Sequence, residues 1–135
     1  AMQAAGIKVD DHYPYRFDSN IFNEEGGVEG CKNLMSLKDR PSAIVVCNNT
    51  MAIGAYKYLR SQGFSVPEDV SVISYGNIEN CDLYAVAPSY VTLNPSFLGE
   101  KAAQFLLERI DSPDRNNREV VFEPLLVLNE STAPL

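Results

Sequence analysis

The chain has 135 residues, enough for one domain with a single buried core. Its formal net charge is −7 and its lysines and arginines are scattered singly, so by itself it repels nucleic-acid backbones and offers them no basic patch. Three cysteines without metal-type spacing, no apolar run of membrane-spanning length and no signal-peptide pattern together point to a reduced, cytoplasmic setting with no membrane partner.

In chain order, Met2–Gly6 reads as the tail of a helix that starts outside the chain, with Gly6 as its stop; a cloning remnant at Ala1-Met2 is the alternative. From Asp10 to Phe17 the chain is polar and aromatic and contains Pro14, so an edge strand and a loop both fit. His12, the only histidine, falls here and is expected to face solvent. Asn23 before Glu24 and Glu25 suits an N-cap with acids in the first helical turn, and Val28, Cys31, Leu34 and Met35 follow at helical spacing. Gly26, Gly27 and Gly30 weaken this helix, each by about 0.8–1 kcal/mol relative to alanine. They serve either close packing on a neighbour or close approach of the backbone to a ligand.

Ala43–Cys47 is a short continuous apolar run, the mark of a strand covered on both faces. Thr50 is placed to cap the next helix, whose stripe is Met51, Ala52, Ala55, Tyr56 and Leu59. Within it Gly54 would permit tight helix–sheet contact, and Gly63 is the stop. A connector over 66–69 leads to a second buried strand, Val70–Tyr75. A short helix over 78–84 and strand character over 90–93 follow. Asn94-Pro95 opens the last helix, with the stripe Leu98, Ala102, Phe105, Leu106 and Ile110. A polar loop spans 111–118, and Glu119–Leu128 is a final strand, bulged at Pro124. Cys31 and Cys47 fall in apolar-periodic stretches, where a free thiol acts as a small hydrophobe. Helices and strands alternate throughout, which predicts an α/β fold with an open, mainly parallel sheet and helices on both faces.

Ala43–Asn77 thus forms one βαβ unit. Its two polar turns, Asn48-Asn49 and Gly76-Asn77, would lie side by side past the carboxyl ends of the strands, where open α/β sheets bind ligands. Neither turn is charged. Each residue also has a purely structural role open to it: Asn48 or Asn49 capping the helix, with Asn49 or Thr50 the favoured cap, Asn77 closing a turn, Tyr75 packing in the core or facing a second lobe. Catalysis has no support. The chain holds no nucleophile-elbow motif, no phosphate-cradling glycine loop, no metal-ligand cluster and no acid pair at a strand end, and no cofactor is expected.

The run A-I-V-V-C-N-N-T-M-A-I-G-A, followed by G-F-S-V-P-E-D-V-S-V-I-S-Y-G-N, resembles the effector-binding domain of the lactose/galactose-repressor family of bacterial transcription regulators. P-S-Y-V-T-L at Pro88–Leu93, L-G-E-K-A-A-Q-F-L-L at Leu98–Leu107 and L-V-L-N-E-S-T at Leu126–Thr132 continue the likeness in register. The resemblance implies a periplasmic-binding-protein-like lobe. Full members carry a helix-turn-helix DNA-binding domain and two such lobes, and bind a sugar or nucleobase-type metabolite between the lobes of a homodimer. On that basis residues 1–135 are the second lobe plus the helix that normally packs on the first. DNA would be a partner only through the missing N-terminal part. The alternatives are a periplasmic sugar-binding protein, and a regulator domain that has lost its small molecule and binds a protein.

The resemblance also nominates ligand-binding residues. Asn48 occupies the family's asparagine position, Asn49 stands where an aspartate is usual, and Gly76 replaces the ligand-gripping aspartate before Asn77. Phe22, just before the helix starting near Asn23, falls at the aromatic platform; a hydrophobic staple at a helix start is its structural alternative. A charged acceptor contributes about 1.5–3 kcal/mol per hydrogen bond, so losing that carboxylate weakens a typical sugar by roughly tenfold or more. Asparagine amides, which donate and accept, would compensate. A ligand with its own carboxylate or phosphate would meet no repulsion. The exposed stripe of the last helix further predicts self-association.

Overall fold

The computed structural model describes residues 2–9, 13–18, 20–78, 85–114 and 116–134. The expectation for His12, and all of the helix expected over 78–84 except Ile78, lie outside these; Ile78 itself is buried. A 3-10 turn, Gln3–Ala5, ends at Gly6, whose φ of +77° suits its role as a stop. No strand or helix forms between Tyr13 and Asp18, so among the described residues that stretch is a loop.

Helix α1, Glu24–Met35, starts at Asn23, whose side chain accepts from the Gly26 amide at 3.2 Å. Strand β1, Ala43–Val46, leads into helix α2, Asn49–Ser61. The cap of α2 is Asn48, not Asn49 or Thr50. Asn48 keeps an extended backbone (φ −153°, ψ 138°) and turns its oxygen onto the Thr50 and Met51 amides, whereas Asn49 is already helical. Strand β2 spans Ser71–Tyr75, β3 Ser89–Thr92, helix α3 Pro95–Asp111 and β4 Leu125–Val127. Asn94 caps α3 through the Phe97 amide at 3.1 Å, with Pro95 in the first turn as expected.

The four strands are ordered β1-β2-β3-β4, the first three parallel and β4 antiparallel to β3. This is the open, mainly parallel α/β sheet anticipated. Strand β4 is much shorter than the expected Glu119–Leu128. Its partner ends at Thr92 because α3 begins three residues on, and Pro124 has no amide hydrogen to extend the ladder.

The core lies between α2 and one face of the sheet: Ile44, Val46 and Val72 from the strands, Ala52, Ala55, Tyr56 and Leu59 from α2, with Cys31 and Met35 from α1 closing it. Burial pushes the Cys31 thiol up to about 12. Strand β1 is covered on one face only; Val45, on the other, is 72% exposed, against the expectation from its unbroken apolar run. Cys47 is exposed too, so it is not the core thiol expected. The last helix, α3, buries no residue, which leaves Leu106, Leu107 and Ile110 in the open.

The glycines explain how α1 and α2 sit. A Cβ on Gly27 would come 1.9 Å from the Met51 carbonyl oxygen, and one on Gly54 would come 1.9 Å from that of Glu24. The two helix backbones therefore touch at reciprocal glycines. Gly54 serves helix–helix rather than helix–sheet contact. A Lys57–Glu24 ion pair joins the same two helices at the surface.

Candidate ligand-binding rim

Because β1, β2 and β3 are parallel, the residues that leave their carboxyl ends share one edge of the sheet. Those residues are Asn48-Asn49, Gly76-Asn77 and Leu93-Asn94. The first two turns touch: the Asn49 side-chain amide donates to the Asn77 carbonyl at 3.2 Å. The position a Cβ of Gly76 would take lies 3.4 Å from the Asn49 Cβ.

Asn48 is half-buried and commits its oxygen to two helix amides, 2.7 and 3.2 Å away. Asn49 is exposed; its oxygen accepts from the Thr50 amide at 2.9 Å and its nitrogen makes the inter-turn bond. Gly76 has a φ of +94°, a conformation that a side chain disfavours. Its amide donates to Val91 of β3 at 2.7 Å, and its carbonyl accepts from the Ser74 hydroxyl at 2.9 Å. Asn77 is exposed, and among the described residues no hydrogen bond uses its side chain.

Phe22 is 73% exposed and lies just before Asn23, the cap of α1. Tyr75, at the end of β2, is about half exposed rather than in the core.

Three positions at or under this edge escaped the sequence reading. Asn94 was read only as a helix opener, although a third parallel strand places its carboxyl end on the same rim. Ser74 is a buried serine between Ile73 and Tyr75 in β2, a signal that its hydroxyl has a partner. Cys47 is the last residue before the first asparagine turn.

The electrostatics of the edge are simple. Helices α2 and α3 both start there, and neither has an acid in its first turn, whereas α1 has two. Among the described residues the edge is amide-rich and uncharged, with the positive ends of two helix dipoles behind it. It is an open surface. Of the concave spaces, one of about 840 Å³ lies beside Tyr56, Arg60 and Phe64, and one of about 250 Å³ lies between α3 and residues 116–118; neither includes Asn48 or Asn77. Among the described residues no group of metal-ligating side chains converges and no helix is long and apolar enough to cross a membrane.

Comparison with known proteins assigns the family. The sequence pattern of the periplasmic binding protein-like domain matches residues 1–132. The chain belongs to that family, in the form found in LacI-type transcription regulators. It is 35% identical over 131 residues to the ribose operon repressor of Haemophilus influenzae, covering 97% of this chain and 39% of that protein. It is 36% identical to the HTH-type transcriptional repressor PurR of Mannheimia succiniciproducens, covering 97% and 38%. A LacI family regulator from Enterococcus faecalis, solved with bound ribose, superimposes with a TM-score of 0.78 at 29% identity, over 85% of this chain and 42% of that one. The chain thus spans about two fifths of the length of the curated relatives it matches.

Proposed function

We propose that this chain is the effector-sensing and dimerisation part of a metabolite-responsive, cytoplasmic bacterial transcription regulator. It forms the second lobe of the sensor, with α3 packing on a first lobe and a helix-turn-helix domain carrying the DNA contacts. A sugar-like molecule binds non-catalytically between the lobes and changes operator affinity. The observation that carries this reading is the contact of the Asn48-Asn49 and Gly76-Asn77 turns at the carboxyl edge of a parallel sheet. Relatives that bear the names of a ribose operon repressor and a ribose-bound regulator favour a small sugar. Asn77, with Asn48 beside it, is the ligand-facing group in this proposal.

The test is thermal denaturation of the intact protein against neutral sugars, sugar phosphates and nucleobases. A binder stabilises by RT ln(1 + [L]/Kd), about 2.7 kcal/mol at a hundred times Kd. A dose-dependent rise with D-ribose or a related sugar supports the proposal, and a preference for sugar phosphates would identify an anionic effector. A flat response across the panel refutes sensing. It would favour a protein partner, for which the bare Leu106, Leu107 and Ile110 stripe of α3 offers a surface.

A further inference from the structure

We infer that Asn49 is a latch between the two turns and not a ligand-binding residue, and that Ser74 supports the same turn from below. The inference rests on the reading of this rim as half of an effector site, and divides that site into positioning and recognition groups.

Each hydrogen-bonding atom of Asn49 is already engaged. Its oxygen faces the Thr50 amide and its nitrogen holds the Asn77 carbonyl. The Gly76-Asn77 turn is therefore held from three sides: Asn49 at the Asn77 carbonyl, Val91 at the Gly76 amide, and the buried Ser74 hydroxyl at the Gly76 carbonyl. Two of these come from within the sheet. Beyond the ladder that pairs Val46 with Ser74, the Asn49 bond is the side-chain hydrogen bond among the described residues that joins the β1 turn to the β2 turn across the rim. A ligand that displaced the Asn49 amide from the Asn77 carbonyl would break the contact between the two turns, and only the second hydrogen of that amide is left over. Recognition then falls to groups with hydrogen-bonding capacity left: the Asn77 side-chain amide, unused among the described residues, and the amide nitrogen of Asn48, whose oxygen alone is engaged in capping.

The experiment compares Asn49→Asp, Asn77→Ala and the unmutated protein by amide hydrogen exchange at residues 74–78, with thermal stability alongside. Asn49→Asp keeps the side chain's size and its acceptor for Thr50, and adds a negative charge at a helix N-terminus, which favours the helix. It replaces the donor to Asn77 with a second acceptor. The latch predicts exchange at Gly76 faster by about 2- to 12-fold, the range for one neutral hydrogen bond, while the melting temperature holds or rises. Asn77→Ala leaves the backbone carbonyl in place, so exchange stays as in the unmutated protein. Unchanged Gly76 exchange in Asn49→Asp overturns the assignment, and so does equal acceleration in Asn77→Ala. D-ribose titration of the intact protein runs separately. If D-ribose binds, Asn77→Ala weakens it with the turn still closed; if D-ribose binds none of the three proteins, the sugar reading fails while exchange still decides the latch.

Discussion

Gly54→Ala probes the helix contact on which the rim's geometry depends. On propensity alone this change in a helix interior stabilises by about 0.8–1 kcal/mol. Here the new Cβ would sit 1.9 Å from the Glu24 carbonyl oxygen, with the Glu24 carbonyl carbon at 2.8 Å and the Val28 nitrogen at 3.0 Å. All three are backbone atoms of α1, so no rotamer change relieves the overlap. The helices must part by about 1 Å, and doing so loosens Cys31 and Met35 against Ala55 and Leu59. Overpacking of this kind costs about 1–3 kcal/mol, and an unyielding backbone neighbour puts it at the upper end. The net loss of about 2 kcal/mol lowers the melting temperature by roughly 5–10 °C in a chain of this length. Gly99→Ala in α3 is the matched control, since nothing lies within 4 Å of its Cβ and helix propensity alone acts. Urea denaturation should order the three proteins Gly99→Ala, unmutated, Gly54→Ala from most to least stable. A Gly54→Ala variant as stable as Gly99→Ala would refute the backbone-contact argument.

Other outcomes follow from the same coordinates. Ser131, fully buried, accepts from the Ser89 amide and donates to the Val72 carbonyl, both at 2.7 Å; Ser131→Ala strands both groups and should cost about 2–4 kcal/mol in urea denaturation. The raised Cys31 thiol stays protonated in the folded state while its unfolded counterpart ionises, so its contribution is intact below pH 9.0 and lost as pH rises toward about 12; Cys31→Ala should flatten that alkaline decline in stability. The bare α3 stripe and Val45 predict that light scattering at high concentration gives a mass above that of one chain; a clean monomer contradicts this, and Leu106→Lys with Ile110→Lys should reduce the association. Gly76→Asp, which restores the carboxylate of the family pattern, should lower stability by about 1–2 kcal/mol, read by thermal melting, because its φ is +94°.

The elements that the sequence made legible are those with local signals. Asn23, Asn94-Pro95 and Gly63 punctuate their helices as expected, and the stripes of α1 and α2 are the ones that face the core. What escaped depends on partners distant in the chain. An apolar run such as Ala43–Val46 is suited to cover on two faces, but cannot specify that Val45 has a neighbour. Strand β4 is cut short by the length of β3, thirty residues away. Gly54 signals a close approach without naming the approaching backbone, and only the fold shows that it is α1. Asn48 and Asn49 have equal capping propensity, so the choice between them falls to backbone geometry. Phe22 rested on its place in a family pattern alone, and its ring is left 73% exposed just before α1.

The glycine at 76 has a larger consequence for recognition. From the family pattern it looks like a lost carboxylate, a single deletion in an otherwise ordinary site. In the structure it is one half of a matched pair: the turn takes a positive φ, and Asn49 packs 3.4 Å from where a Cβ would be while bonding to Asn77. A side chain at 76 would strain the turn through its positive φ, while its Cβ would meet Asn49 in ordinary van der Waals contact. Among the described residues the rim that results offers neutral amides only. Such hydrogen bonds contribute about 0.5–1.5 kcal/mol each, against about 1.5–3 for bonds to a carboxylate. Two or three of them sum to about 4.5 kcal/mol at most, which the cost of association, about 4 kcal/mol or more, largely cancels. An effector bound more tightly must draw the remainder from an opposing wall. On the proposed function, this lobe supplies orientation and selectivity, and closure against a first lobe supplies most of the affinity.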